Sequence, residues 1–123
     1  LIAYSVIKAS GSIEVVFKQI IYDYLTREVG EKTATYIEKM ILDSSCNPSV
    51  GNMSNLLQNI SSEWRDRFDE QVKKSGKKAE INSLVQLRNG FAHGDIITVS
   101  INTVISYFDA AKDILNILDA VVS

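Results

Sequence analysis

One cysteine, Cys46, leaves no partner for an intrachain disulfide, and one histidine, His93, rules out every site that needs two. Together these counts exclude ordinary structural zinc. A reducing, cytosolic compartment fits a chain with a single thiol. Proline also occurs once, at Pro48, so almost nothing in the sequence forbids helix. No apolar run approaches the roughly twenty residues of a membrane span, and no basic stretch followed by an apolar one marks a secretory signal. Neither sign of charge dominates. The 13 Lys and Arg against 15 Asp and Glu give −2, where a protein that coats nucleic acid without regard to sequence would be basic. Glycine-rich phosphate loops and nucleophile elbows are missing as well.

What the sequence does have is enough apolar material to fold. It is 46% hydrophobic and 23% charged over 123 residues, which suits one soluble domain with a core of its own and not a disordered segment. The chain opens at Leu1, without a methionine and already apolar and periodic, as a fragment or processed chain would. That leaves room for a segment before Leu1.

Apolar residues recur at threes and fours nearly throughout, the period of helices buried on one face. Ile2, Val6, Ala9, Ile13, Val16 and Ile20, widened by Phe17 and Tyr24, predict a long first helix over about Ile2 to Arg27, ended by Gly30. Ser10-Gly11-Ser12 interrupts it with weak helix formers, and small residues there suit close approach of another helix. Ala34, Ile37, Met40 and Ile41 predict a second helix from Thr33 to Leu42. Ser44 to Asn52 holds Pro48 and Gly51 and reads as a loop, with Cys46 a bystander thiol in it. Met53, Leu57, Ile60, Trp64 and Phe68 form the stripe of a third helix over Met53 to Lys74. Lys73 to Lys78 reads as a basic turn. A fourth helix begins near Ala79 and carries Ile81, Leu84, Val85, Leu87 and Phe91, with Gly94 placed as a C-terminal glycine. Asp95 to Val99 is a link with β-branched residues that suit a brief extended piece. Ser100 is an N-cap for a last helix through Val122. The expected fold is all-α, an up-and-down bundle of four to five helices with no internal repeat.

Chemistry concentrates at the end of the fourth helix, in Arg88-Asn89-Gly90-Phe91-Ala92-His93. The carboxylate pairs Asp66/Glu70 and Asp109/Asp113 sit at helix spacing on solvated faces and suggest no acid–base site. Asn89 and His93 lie four apart and share a face. Arg88 and His93 lie five apart, and their directions differ by roughly 140° at about 100° per residue. Arg88 shares its face with Leu84 and Ala92, so its stem can lie along apolar surface. Histidine titrates near neutrality and can take a proton from a 2′-hydroxyl or give one to a leaving oxygen. Arginine fits phosphate oxygens with a planar fork and neutralises charge developing at phosphorus. Asparagine can orient either. These residue types suit cleavage of RNA without a metal. On spacing alone a capped helix end, with His93 at the negative end of the dipole, is the better reading.

Arg88-Asn89-x-x-Ala92-His93-Gly94 resembles the signature of the HEPN superfamily, an arginine followed after four to six residues by a histidine, here after four. The chain is most similar to the RiboL-PSP-HEPN branch. Glu14 in the small-residue stretch of the first helix, the Asn47-to-Asn52 loop and Val99-Ser100 add to the likeness. The resemblance implies a metal-independent endoribonuclease of the toxin–antitoxin, defence or RNA-processing kind, with no cofactor. It also implies a homodimer in which two motifs face each other, and an antitoxin as a further partner. Arg88 and His93 would then be catalytic and Asn89 would support them, with Glu14 orienting Arg88 or His93. Gly90 departs from the bulkier residue often found there, which either loosens the helix or admits a partner chain. Some HEPN domains do not catalyse, so the resemblance leaves a second possibility open: a silent helical module for RNA binding, protein binding or dimerisation.

Charge is distributed unevenly around this motif. From Lys73 to His93 there are five basic residues and one acid, a net +4 in a chain whose remainder carries −6. Lys73, Lys74, Lys77 and Lys78 are therefore candidates for phosphate contact, though a flexible solvated turn would have the same composition.

Overall fold

The computed structural model describes residues 1–123 as six helices and no strand: α1 (Ile2–Leu25), α2 (Glu31–Ile41), α3 (Val50–Ile60), α4 (Ser62–Ser75), α5 (Lys78–Ala92) and α6 (Ile101–Val122). No helix is long and apolar enough to cross a membrane. All six contribute to one core, in which Phe17 and Ile21 of α1, Met53 and Leu57 of α3, Phe68 of α4, and Ile114 and Leu118 of α6 are wholly buried. A smaller cluster of Val6, Leu84 and Val104 joins α1, α5 and α6 near the C-terminal end of α5. Grooves between α1 and α6 set Tyr4 beside Ile101 and Ile20 beside Asp119, so these two long helices run parallel.

The extra helix comes from a break that the apolar stripe concealed. Met53 to Lys74 is not one helix. Ser61 is extended (φ −158°, ψ 116°), donates its N–H to Leu57 O at 2.8 Å and accepts from Trp64 N at 3.2 Å. One serine thus closes α3 and caps α4. The signal was present as Ser61-Ser62-Glu63, an N-cap with an acid in the first turn. The stripe continues across the break because Trp64 still reaches inward, edge-on to Tyr24 at 5.0 Å.

Other boundaries shift for local reasons. α1 stops at Leu25, and Gly30 starts α2 as its N-cap instead of ending α1. α3 begins at Val50, so the loop stops at Ser49, whose side chain caps the helix by accepting from Asn52 N. Lys73, Lys74 and Ser75 are the last turn of α4, and only Gly76 and Lys77 form the turn, with Gly76 left-handed at φ 68°. Asp95 to Val99 stays irregular, and Ile97 and Val99 pack on the small cluster. The buried stripe of α1 is Val6, Ser10, Ile13, Phe17 and Ile21, which leaves Val16 exposed at its edge. In α2, Met40 likewise faces outward. Within Ser10-Gly11-Ser12 only Ser10 is buried. Nothing lies within 4 Å of where a Cβ on Gly11 would be, so no helix packs against Gly11 itself.

Candidate functional site at the end of α5

Ile81, Leu84 and Val85 anchor α5 in the core, and the helix then runs past the small cluster into solvent. Arg88 continues the direction of Leu84 and Val85, but at a level where no core remains, and its side chain is exposed. Asn89 is half-buried and His93 is exposed. The structure keeps all three within two turns at one end of the bundle. None of the side-chain hydrogen bonds or ion pairs within the chain involves them.

The backbone beneath them is firmly closed. His93 is the last residue before the chain turns (φ −97°, ψ 11°), and its N–H donates to Asn89 O at 3.2 Å and Gly90 O at 3.0 Å. Gly94, at φ 94°, takes the left-handed conformation that ends helices cheaply only for glycine. Its N–H donates to Phe91 O at 3.0 Å, and the Asp95 N–H donates back to Gly90 O at 2.9 Å. The bond from His93 to Asn89 keeps helical register through the motif, so these two residues share one face.

Gly90 has an intrachain explanation. A Cβ built on it would lie 2.8 Å from Asp95 Oδ2, so the Asp95 side chain folds over the glycine. A cavity of about 280 Å³ opens beside this contact, lined in part by Gly90, Phe91, Asp95, Ile96 and Tyr107. Arg88, Asn89 and His93 lie outside it.

Glu14 has a different partner from the one expected. Its carboxylate accepts from Lys18 Nζ at 2.6 Å, and Lys18, only 6% exposed, also donates to the carbonyl of Ser44. The pair fastens the loop before α3 to α1. Cys46 lies in the same neighbourhood, and its thiol is pushed up by burial. Lys18 opposes that rise and Glu14 adds to it. In the loop, Asn52 Nδ2 donates to Asn47 Oδ1 at 2.7 Å and to Asn47 O at 3.0 Å.

Sequence reasoning missed Asn82, whose Oδ1 accepts from Val50 N at 3.1 Å and so ties the start of α3 to α5. Its spacing of seven from Asn89 placed both on one helical face and was the available clue. It also missed Lys18, detectable as an i,i+4 Glu-to-Lys pair in an otherwise apolar helix.

The four lysines separate into two kinds. Lys74 pairs with Glu70 at 3.1 Å, and Lys77 pairs with Asp113 of α6. Lys73 and Lys78 have no ion pair and flank a larger cavity between α3, α4 and α5. The +4 counted along the chain is therefore partly cancelled in space. The acids judged to be surface residues are engaged in the same way, Asp66 by Arg65 at 2.8 Å and Asp109 by Lys112 at 3.2 Å.

A family model described as RiboL-PSP-HEPN matches residues 1–123, the whole length of the chain. No curated protein and no solved structure matches it.

Proposed function

We propose an RNA-cleaving function for this chain, which belongs to the RiboL-PSP-HEPN family, a HEPN-type domain family whose wider membership includes ribonucleases. The observation that carries the proposal is the state of Arg88 and His93: exposed, without intrachain partners, and mounted on a helix end whose backbone is closed by hydrogen bonds. A cation and an imidazole that served only to cap the helix would be expected to spend their polar groups on it. These remain available to a ligand.

In the proposed reaction His93 accepts the proton of a 2′-hydroxyl, and the 2′ oxygen attacks the adjacent phosphorus. The bond from phosphorus to the 5′ oxygen breaks, and that oxygen takes up a proton. The products are a 2′,3′-cyclic phosphate and a 5′-hydroxyl. Arg88 neutralises the extra charge on the phosphoryl oxygens as it develops, and Asn89 orients His93 or the phosphate from the shared face.

One chain supplies an open site, because Arg88 and His93 diverge and both are exposed. A homodimer with two motifs facing each other would supply the missing wall and a second imidazole to protonate the leaving oxygen. Apolar side chains exposed near the motif support such pairing: Phe91 at 40%, Ile96 at 86% and Ile101 at 43%.

Mixed RNA incubated in a chelator, beside His93→Ala and Arg88→Ala, tests the assignment. Wild type should cut and leave cyclic phosphate ends, and both variants should fail. Cleavage that survives in both variants would falsify it. Because the site is open in one chain, a silent binding module is the second reading. RNA bound by the wild type but never cut would favour it.

A further inference from the structure

The largest cavity of the chain, about 760 Å³, lies between α3, α4 and the start of α5, away from the C-terminal end of α5. Lys73 of α4 and Lys78 of α5 line it, together with Asn82 and the first residues of α3, Val50 and Gly51. Its one carboxylate, Asp69, lies 4.0 Å from Arg65 and is partly offset by it. Neither Lys73 nor Lys78 has an acidic partner, whereas their neighbours Lys74 and Lys77 are both paired. Asn82 accepts from Val50 through Oδ1, which fixes its amide and leaves the Nδ2 hydrogens free to donate. A concave site with two free ammonium groups and an oriented amide donor suits an anion with several oxygens.

Residues of this cavity and of the proposed cleavage site project from one side of α5. At about 100° per residue, Lys78, Asn82, Asn89 and His93 fall within an arc of about 60°. From Lys78 to His93 the helix rises about 22 Å, a span of a few nucleotides. Between them Val85 lies on this side of the helix and is buried, the exposed polar residue beside it is Gln86, and no acidic residue falls on the arc. A strand whose scissile phosphate sits at His93 can thus run down α5 and set a phosphate of its own backbone between Lys73 and Lys78.

We infer that the cavity flanked by Lys73, Lys78 and Asn82 is a backbone-phosphate subsite for single-stranded RNA, holding the substrate a few nucleotides away from the Arg88/His93 site. The inference rests on the ribonuclease reading for the direction of the strand, but its test measures binding alone. All proteins carry His93→Ala, so that the RNA stays intact. Binding of a fluorescein-labelled single strand of about 12 nucleotides is followed by anisotropy between about 50 and 200 mM salt. Against this background Lys73→Ala/Lys78→Ala should weaken binding about tenfold at the lowest salt and reduce the slope of log K against log salt by about 1.4, the loss of two single-strand phosphate contacts. Lys32→Ala/Lys39→Ala, which removes two exposed lysines of α2, should leave both quantities unchanged. Lys73→Gln/Lys78→Gln repeats the charge loss with longer side chains, and circular dichroism confirms that each variant is folded.

A slope equal to that of the α2 control overturns the subsite. AMP binding to the same proteins is measured by calorimetry, and its loss in the lysine variants with RNA binding untouched also overturns the subsite, because the cavity would then be a mononucleotide pocket. Cleavage by the protein with His93 intact is scored separately. If it cuts RNA while the lysine pair has no effect on binding, the subsite fails and the ribonuclease stands. If it never cuts but the slope falls as expected, the subsite stands and the ribonuclease fails.

Discussion

Asp95 and Gly90 fit one another across the end of α5: the Asp95 N–H donates to Gly90 O at 2.9 Å, and its carboxylate occupies the space that a Cβ on residue 90 would need. The contact joins the middle of the Arg88-to-His93 motif to the chain that leaves it.

Two glycine substitutions should separate space from backbone strain. In Gly90→Ala the new Cβ meets Asp95 Oδ2, the movable end of a side chain, which can swing aside. Alanine also favours helix by about 1 kcal/mol, so urea unfolding should show stability unchanged or slightly raised. Gly94→Ala has open space around it but sits at φ 94°, and should lose about 1 kcal/mol. Equal losses in the two variants would mean that the helix end is not closed as described.

Lys18→Met should destabilise the fold by about 1 to 3 kcal/mol in urea titrations, because the Ser44 carbonyl and Glu14 both lose their donor. The expected cost is kept below that of a fully buried pair because the Glu14 side chain is 29% exposed and can rehydrate. Glu14→Gln should cost less than Lys18→Met. If Glu14→Gln instead abolishes activity at unchanged stability, Glu14 acts on the site and not on the fold.

Ser61→Ala should cost about 1 kcal/mol, the usual loss of an N-cap, and Ser61→Gly only a few tenths. The reason is that Ser61 Oγ accepts from Trp64 N at the start of α4. Greater stability and more helix in Ser61→Ala would show that α3 and α4 prefer to fuse.

The Cys46 thiol gives a pH test. Burial is the largest cause of its upward shift, so the folded chain holds this proton longer than the unfolded chain does. Its contribution to stability is complete below the unfolded thiol value of about 8.5 and is lost as pH rises toward the higher folded value. The urea midpoint should therefore fall on the alkaline side of that point, by more in wild type than in Cys46→Ala. Iodoacetamide should also alkylate the native thiol more slowly than the unfolded one at the same pH.

Much of this protein was legible before its structure. Helical period named the elements that bury Phe17, Met53, Phe68 and Leu118, because a 3.6-residue repeat of apolar side chains has one compact solution. Gly94 and Ser100 marked the end of α5 and the start of α6 through local rules that need only neighbouring residues. The Arg88-to-His93 motif and the shared face of Asn89 and His93 are likewise properties of sequence and helical geometry.

Tertiary structure alone decided the rest, because it depends on which distant groups meet. Ser61-Ser62-Glu63 was a local sign of a break, but only packing shows that Trp64 stays inward on a second axis and carries the apolar stripe across it. Four adjacent lysines are alike in sequence, yet Glu70 and Asp113 neutralise two of them and leave Lys73 and Lys78 free beside a cavity. Glu14 suited a role beside Arg88 until a buried ammonium one turn away claimed it. Gly90, whose purpose the sequence left open, is explained by Asp95, because only the return of the chain over the helix end brings that carboxylate onto it.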